Sequence, residues 1–216
     1  KIFILNSNFK KYFNNYDFHN LYKELLNFCT VDLSAFYFDI RKDNLYCDPK
    51  ESEGRKFTIT LLNIILNSLL KWFAPILSFT TEEIYRLLFK DKKSIHLEKF
   101  LEFPKKFQND KLNEKWVELI KIRNICNISI EEKRASKEVG SSLEAELKIN
   151  LDQKLEDLTK NIDFSELCIT SKAEVVYKDD IETTVTTSKA KGSKCSTCWK
   201  IKEKACSRSN CPKHLE

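Results

Sequence analysis

The sequence predicts a mainly α-helical protein: a helical bundle, then a small α+β unit, then a compact cysteine-rich end. Three observations predict it. From Asp17 as far as Val139, apolar residues recur at intervals of three and four, which is the helical period. After Gly140 the period becomes two, over short runs rich in β-branched residues. Finally, Cys195, Cys198, Cys206, Cys211 and His214 crowd into the end of a chain that has only eight cysteines and three histidines.

Taken in order, Phe18, Leu21, Leu25 and Phe28, then Leu33, Phe36, Tyr37 and Ile40, predict two consecutive helices or one bent helix between Asp17 and Leu45. Pro49, Ser52 and Gly54 interrupt the pattern. A polar stripe of Lys56, Thr60, Asn63, Asn67 and Lys71 on an otherwise apolar segment then predicts a mostly buried bundle helix. It should end before Pro75, which lacks a backbone donor and disfavours helical geometry at Ala74. "TTEE" reads as a capping box, with Thr80 as N-cap and Glu83 three residues on, opening a helix through Ile84, Tyr85, Leu87 and Leu88. "SIHLEKF" reads as extended, and Pro104 as a boundary. A long helix follows from about Asn109 to Val139 on Leu112, Trp116, Leu119, Ile120 and Ile130, with Gly140 as its left-handed C-terminal residue. "ELKINL", "LCIT", "AEVVY" and "TTVTT" read as strands. The expected division is a helical domain over 1–104, an α+β domain over 105–184 and a basic tail over 185–216.

With 216 residues, 42% of them hydrophobic and 12% aromatic, the chain is rich enough in apolar side chains for a packed core. Its longest apolar run, "TLLNIILNSLLKWFAPILSF", is interrupted by Asn63, Asn67 and Lys71, short of the roughly 18 uninterrupted apolar residues of a membrane span. No membrane partner is expected. The chain contains no methionine and opens on Lys1 without a signal-peptide pattern, which suggests a segment of a longer protein. Charge is uneven. From Val185 onward eight basic residues face two acidic ones, a net +6, whereas the whole chain is +5 and the remainder therefore −1. A basic end on a near-neutral body suits a polyanion such as RNA, although lysines also serve simply to keep a tail solvated.

The tail carries the chemistry. Cys195 and Cys198 have the two-residue separation that aims both sulfurs at one tetrahedral ion. The second pair has two solutions. Cys211 and His214 repeat the spacing and need less backbone adjustment; Cys206 and Cys211, with four residues between them, are the alternative. The other cysteines, Cys29, Cys47, Cys126 and Cys168, are scattered without pairing logic, and no export signal is present, so zinc in a reducing, cytoplasmic compartment is expected over disulfides. With four protein ligands the single Zn2+ would be structural, replacing a core that so short a tail cannot build. Trp199 follows the second ligand, among Lys194, Lys200 and Lys202. It either stacks on an unpaired RNA base while those lysines hold phosphates, or it covers the metal site. His19 and His96 lack partner spacing. Arg123 faces an apolar stripe and reads as structural, and "KRASK" at Lys133–Lys137 as a solvated helical turn.

The order of "LYKELLNFCTVDLSAFYFDIRKDNLYCD", "WFAPILSFTTEEIY", "EEKRASKEVGSSLEAEL" and "KCSTCW" resembles the C-terminal part of bacterial-type isoleucyl-tRNA synthetases over nearly the whole chain. The resemblance implies that residues up to about 104 form an anticodon-binding helical bundle. It further implies that the rest is a junction region ending in a zinc-binding peptide, with tRNA for isoleucine as partner, no DNA, and a monomeric parent enzyme. It implies a ligase that uses ATP. The family's His-x-Gly-His and Lys-Met-Ser-Lys-Ser signatures do not occur here, so ATP and catalysis are expected outside this segment, and none of its residues is expected to be catalytic. Two positions depart from the family pattern: Thr197 stands where an arginine is usual, and His214 where a cysteine is usual. The competing reading is a free-standing zinc module that binds RNA or a protein.

Overall fold

Helices dominate the computed structural model, which describes residues 1–90 and 93–202. The chain divides into two units. One comprises Lys1–Arg41 and Lys50–Gln108, the other Lys42–Pro49 and the chain from Asn109 onward.

In the first unit α1 (Ile2–Asn14) buries Leu5, Asn6 and Phe9. The sequence pattern missed this helix, because Asn6, Asn8, Lys10 and Lys11 break up its apolar stripe. Asp17 then opens α2 (Phe18–Asn27) by accepting the Asn20 N–H at 3.2 Å. The helix runs on without a break through a π-helical stretch, Phe28–Phe38, into α3 (Asp39–Tyr46). Of the two arrangements expected here, the continuous helix is the one observed. Leu21, Leu25, Phe28 and Leu33 pack with Leu5, Phe9, Ile65 and Trp72 in one core. Within it Phe9 meets Trp72 edge to face at 4.9 Å. Trp72 donates its indole N–H to Asn6 Oδ1 at 2.9 Å, and Asn6 Nδ2 donates to the Leu101 carbonyl at 2.7 Å. A buried amide is thereby satisfied at both ends and ties the chain near Phe100 to α1.

Helix α4 (Glu53–Phe73) starts on Ser52, whose Oγ accepts the Arg55 N–H, and stops before Pro75. It is less buried than its composition suggested, since Phe57, Ile59 and Ile64 are exposed. The capping box at Thr80 does not form. Helix α5 begins earlier, at Ser78 (Ser78–Leu88), Thr81 turns its hydroxyl back to the Leu77 carbonyl, and Glu82 is the acid that matters. Its carboxylate accepts from Arg86 Nε, Ser94 Oγ and the Ile95 N–H. These bonds, led by those from Arg86 and Ser94, hold the Glu82 carboxyl down to about 2. They also fold Ile95–Leu97 into a 3-10 turn where an extended piece was expected.

The second unit is built on α6 (Asp110–Ala135), capped by Asn109, which accepts the Leu112 N–H at 2.9 Å. Its buried stripe is Leu119, Ile122, Cys126 and Ile130, whereas Leu112 and Ile120 are exposed. Gly140 is not its left-handed cap. Lys137 takes that role at φ 61°, with its N–H on the Arg134 carbonyl and the Glu138 N–H on that of Lys133, a Schellman arrangement. In the three-stranded sheet the central β1 (Ala145–Asp152) pairs in parallel with β2 (Lys172–Lys178) and antiparallel with β3 (Thr184–Lys189). Ala145, Leu147, Ile149 and Leu151 all face inward, as the period of two requires. Ser129 Oγ and Thr187 Oγ1, 2.8 Å apart, link α6 to β3.

A parallel β1–β2 pair needs a crossover, and α7 (Glu156–Thr159) and α8 (Phe164–Leu167) provide it. "LCIT" is therefore not a strand. Asp163 accepts from the Ser165 and Glu166 N–H groups and starts α8, which ends on Leu167, and the rest of the expected strand is the turn that closes it, with Ile169 left-handed at φ 56°. Cys168 is buried, and a hydrogen bond with Cys126 together with burial pushes its thiol far up, so it behaves as a protonated core side chain. Arg123 donates Nε to the Leu167 carbonyl at 2.9 Å, in keeping with a structural role. Among the described residues no helix is long and apolar enough to cross a membrane.

Candidate nucleic-acid interface

The tail begins with a two-stranded hairpin, β4 (Ser193–Lys194) and β5 (Ile201–Lys202), paired Ser193 to Lys202 and Lys194 to Ile201. The six residues between the strands, "CSTCWK", form a closed turn. The Cys195 N–H donates to the Lys200 carbonyl at 2.9 Å, and the Trp199 N–H donates to the Cys195 carbonyl at 3.0 Å. The Thr197 N–H points at Cys195 Sγ, 3.4 Å away. An amide aimed at a sulfur favours the thiolate, the form a metal ligand must take.

Cys195 and Cys198 are both buried, and they share their cluster with a third cysteine, Cys47, whose thiol reaches the Thr197 carbonyl at 3.7 Å. Lys200 is also buried, with its ammonium 3.7 Å from Asp43 Oδ2. The stretch Lys42–Pro49 thus forms the floor under the turn. Sequence reading missed this: Cys47 and Asp43 lie about 150 positions from the tail and carry no local spacing signal. Ser171 adds a second anchor, donating Oγ to the Leu143 carbonyl while accepting the Ile201 N–H. Lys194 remains exposed, with Glu144 3.9 Å away, and Lys202 is half-buried.

Trp199 has the most unusual environment. Its backbone is left-handed, φ 60°, a conformation costing a non-glycine residue roughly 1–2 kcal/mol, yet the residue is 60% exposed. Burial does not offset that cost. The conformation belongs to the turn: after Trp199 the chain reverses so that the Lys200 carbonyl accepts the Cys195 N–H and β5 pairs with β4.

Two of the expected zinc ligands, Cys195 and Cys198, lie among the described residues. Two buried thiols lie on one tight turn, with an amide directed at the first. Among the described residues no group of three or more His, Cys, Asp or Glu side chains converges as a metal site. The other expected ligands, Cys211 and His214 with Cys206 as alternative, lie outside the described residues. Thr197, which stands where an arginine is usual in the family, buries its Oγ1 with no hydrogen-bond partner among the described residues.

The chain is 64% identical over 208 residues to the isoleucine–tRNA ligase of Pelagibacter ubique, a match covering 96% of this chain and 23% of that protein. The isoleucine–tRNA ligase of Agrobacterium fabrum is 37% identical over 197 residues, 86% of this chain and 20% of its own length. That of Zymomonas mobilis is 39% identical over 191 residues, again 86% and 20%. The chain therefore spans only about a fifth to a quarter of the relatives it matches. Residues 1–149 match the anticodon-binding domain of tRNA ligases, which takes in the whole first unit, and to that family the chain belongs.

Proposed function

We propose that the chain is the tRNA-binding, anticodon-recognising C-terminal segment of an isoleucine–tRNA ligase, which attaches isoleucine to its tRNA using ATP bound elsewhere in the enzyme. The observation that carries the reading within the structure is the display of Trp199, an exposed indole held in a costly backbone conformation on a cysteine turn. In this reading Trp199 stacks on an unpaired base of the anticodon loop. Lys194 and Lys202 flank it for phosphates, and Lys200 acts from beneath by fixing the turn on Asp43.

Cys195 and Cys198, with Cys211 and His214 or with Cys206 and Cys211, would hold one structural Zn2+. The ion's contribution is to cross-link the tail, and no position stays open for a substrate. The enzyme works as a monomer in the cytoplasm and binds neither DNA nor a membrane. The test is direct titration of the 216-residue chain with tRNA for isoleucine against a tRNA of another specificity. Preferential binding of the former that falls on Trp199→Ala supports the reading, and equal binding of both rejects it.

A further inference from the structure

Two side chains of the floor grip the cysteine turn, and they lie one helical turn apart. Asp43 is on α3 and Cys47 follows directly after its last residue. The Cys47 N–H donates to the Asp43 carbonyl at 2.9 Å, which continues the helical turn and puts both side chains on one face. Each takes a different point of the cysteine turn. Cys47 donates its thiol to the Thr197 carbonyl, between the two cysteines, at 3.7 Å. Asp43 Oδ2 lies 3.7 Å from the ammonium of Lys200, whose own carbonyl closes the turn on the Cys195 N–H at 2.9 Å. All of these residues belong to the second unit.

Neither contact is strong alone, because a thiol is a weak donor and a single ion pair contributes little. Their consequence is geometric. They pin both ends of the segment from Thr197 to Lys200, which carries Cys198, while the Thr197 N–H faces Cys195 Sγ at 3.4 Å. Two thiols share one ion only when the loop between them holds a fixed separation and direction. A loop left free would have to be ordered at the moment of binding, at the expense of affinity. Cys47 shares a buried cluster with Cys195 and Cys198. A metal ligand must be a thiolate, which cannot donate, so the contact with Thr197 sets Cys47 beside the ligands rather than among them.

We infer that Asp43 and Cys47 are positioning residues for the metal site: they preset the turn of Cys195 and Cys198 and so raise its affinity for Zn2+. The inference rests on the zinc reading above and adds to it a dependence on α3, far away in the sequence.

The test measures zinc affinity of the 216-residue chain by competition with a chromophoric chelator, and substitutes Co2+ to count thiolate ligands from the charge-transfer absorption. Cys47→Ala removes the donor and should weaken zinc binding roughly tenfold, the low end of what a partner just outside the ligands contributes. Cys47→Ser keeps a donor for the same carbonyl and should bind zinc like the parent. Asp43→Asn removes the charge facing Lys200 without touching the sulfurs, and should weaken binding in the same direction as Cys47→Ala. The cobalt spectrum should show the parent's thiolate count in every variant. Parent-like affinity in Cys47→Ala or in Asp43→Asn overturns the inference while leaving the zinc reading standing. So does Cys47→Ser binding as weakly as Cys47→Ala, which makes Cys47 a packing residue, or a lower thiolate count, which makes it a ligand. If Cys47→Ala does not fold, Asp43→Asn and Cys47→Ser decide the matter by the same criteria. A parent chain that takes up no zinc overturns both readings.

Discussion

The Lys200 ammonium lies 3.7 Å from Asp43 Oδ2, with only a tenth of the lysine side chain exposed. A basic residue of the tail is thereby spent on the protein rather than offered to solvent. Removing it leaves a partly buried carboxylate with a weakened environment, a loss of about 1–3 kcal/mol, between the values for exposed and fully buried pairs. Lys200→Ala should accordingly lower the urea midpoint of the second unit. Lys194→Ala should leave that midpoint in place and reduce the slope of log K against log salt for tRNA by roughly one. Denaturation curves and salt titrations on both variants separate the two roles.

Trp199 carries a different signature. Trp199→Gly relieves the left-handed backbone while deleting the indole, so the turn should gain or keep stability as tRNA affinity falls by about 1–3 kcal/mol. Trp199→Ala should lose the same affinity without the backbone relief. Thermal melts beside binding isotherms check this; a glycine variant that binds as well as the parent would make the indole a passenger.

Zinc at one equivalent should be found in the purified chain, and chelation should disrupt the tail while sparing the helices, which carry their own core at Leu21, Leu25, Phe28 and Trp72. Metal analysis followed by circular dichroism reads both effects. His214→Ala should weaken metal binding far more than Cys206→Ala, and the opposite ranking would assign the fourth ligand to Cys206.

Acid should act on the first unit through Glu82. Its carboxyl is held at about 2 in the folded chain against an ordinary 4.5, so its contribution to stability is fully present above 4.5 and is lost as pH falls from there through 2. Glu82→Gln should flatten that part of the stability profile and loosen the Ile95–Leu97 turn. Equilibrium unfolding at a series of pH values reads the difference between variant and parent.

Local signals in the sequence were read well, and distant ones were not. Asp17 and Asn109 cap helices where the sequence placed their starts, and a helix ends just before Pro75, because those effects act over a single turn; Ser52, read only as an interruption, caps a helix as well. "TTEE" and "LCIT" misled for different reasons. Helix α5 is already under way from Ser78 and Glu82 spends its carboxylate on Arg86, Ser94 and the Ile95 N–H, whereas Asp163 accepts the Ser165 and Glu166 N–H groups and starts a short helix that runs into Leu167. Gly140 offered the freedom of a left-handed cap, but the helix closed three residues earlier on Lys137. The turn at Cys195 to Lys200 was legible from its spacing. Its floor, Asp43 and Cys47, was not, since nothing in "KDNLYCDP" announces a partner at the other end of the chain.

The central claim is that this chain reads an anticodon, and competition binding tests it most directly. The 216-residue chain is titrated with the anticodon stem-loop of an isoleucine tRNA and with the same stem-loop carrying a different anticodon. Loss of base-specific stacking and hydrogen bonding should weaken the second complex at least about tenfold at equal salt. Equal affinities for the two stem-loops, with the same salt dependence, would show that only phosphate is recognised and would contradict the claim.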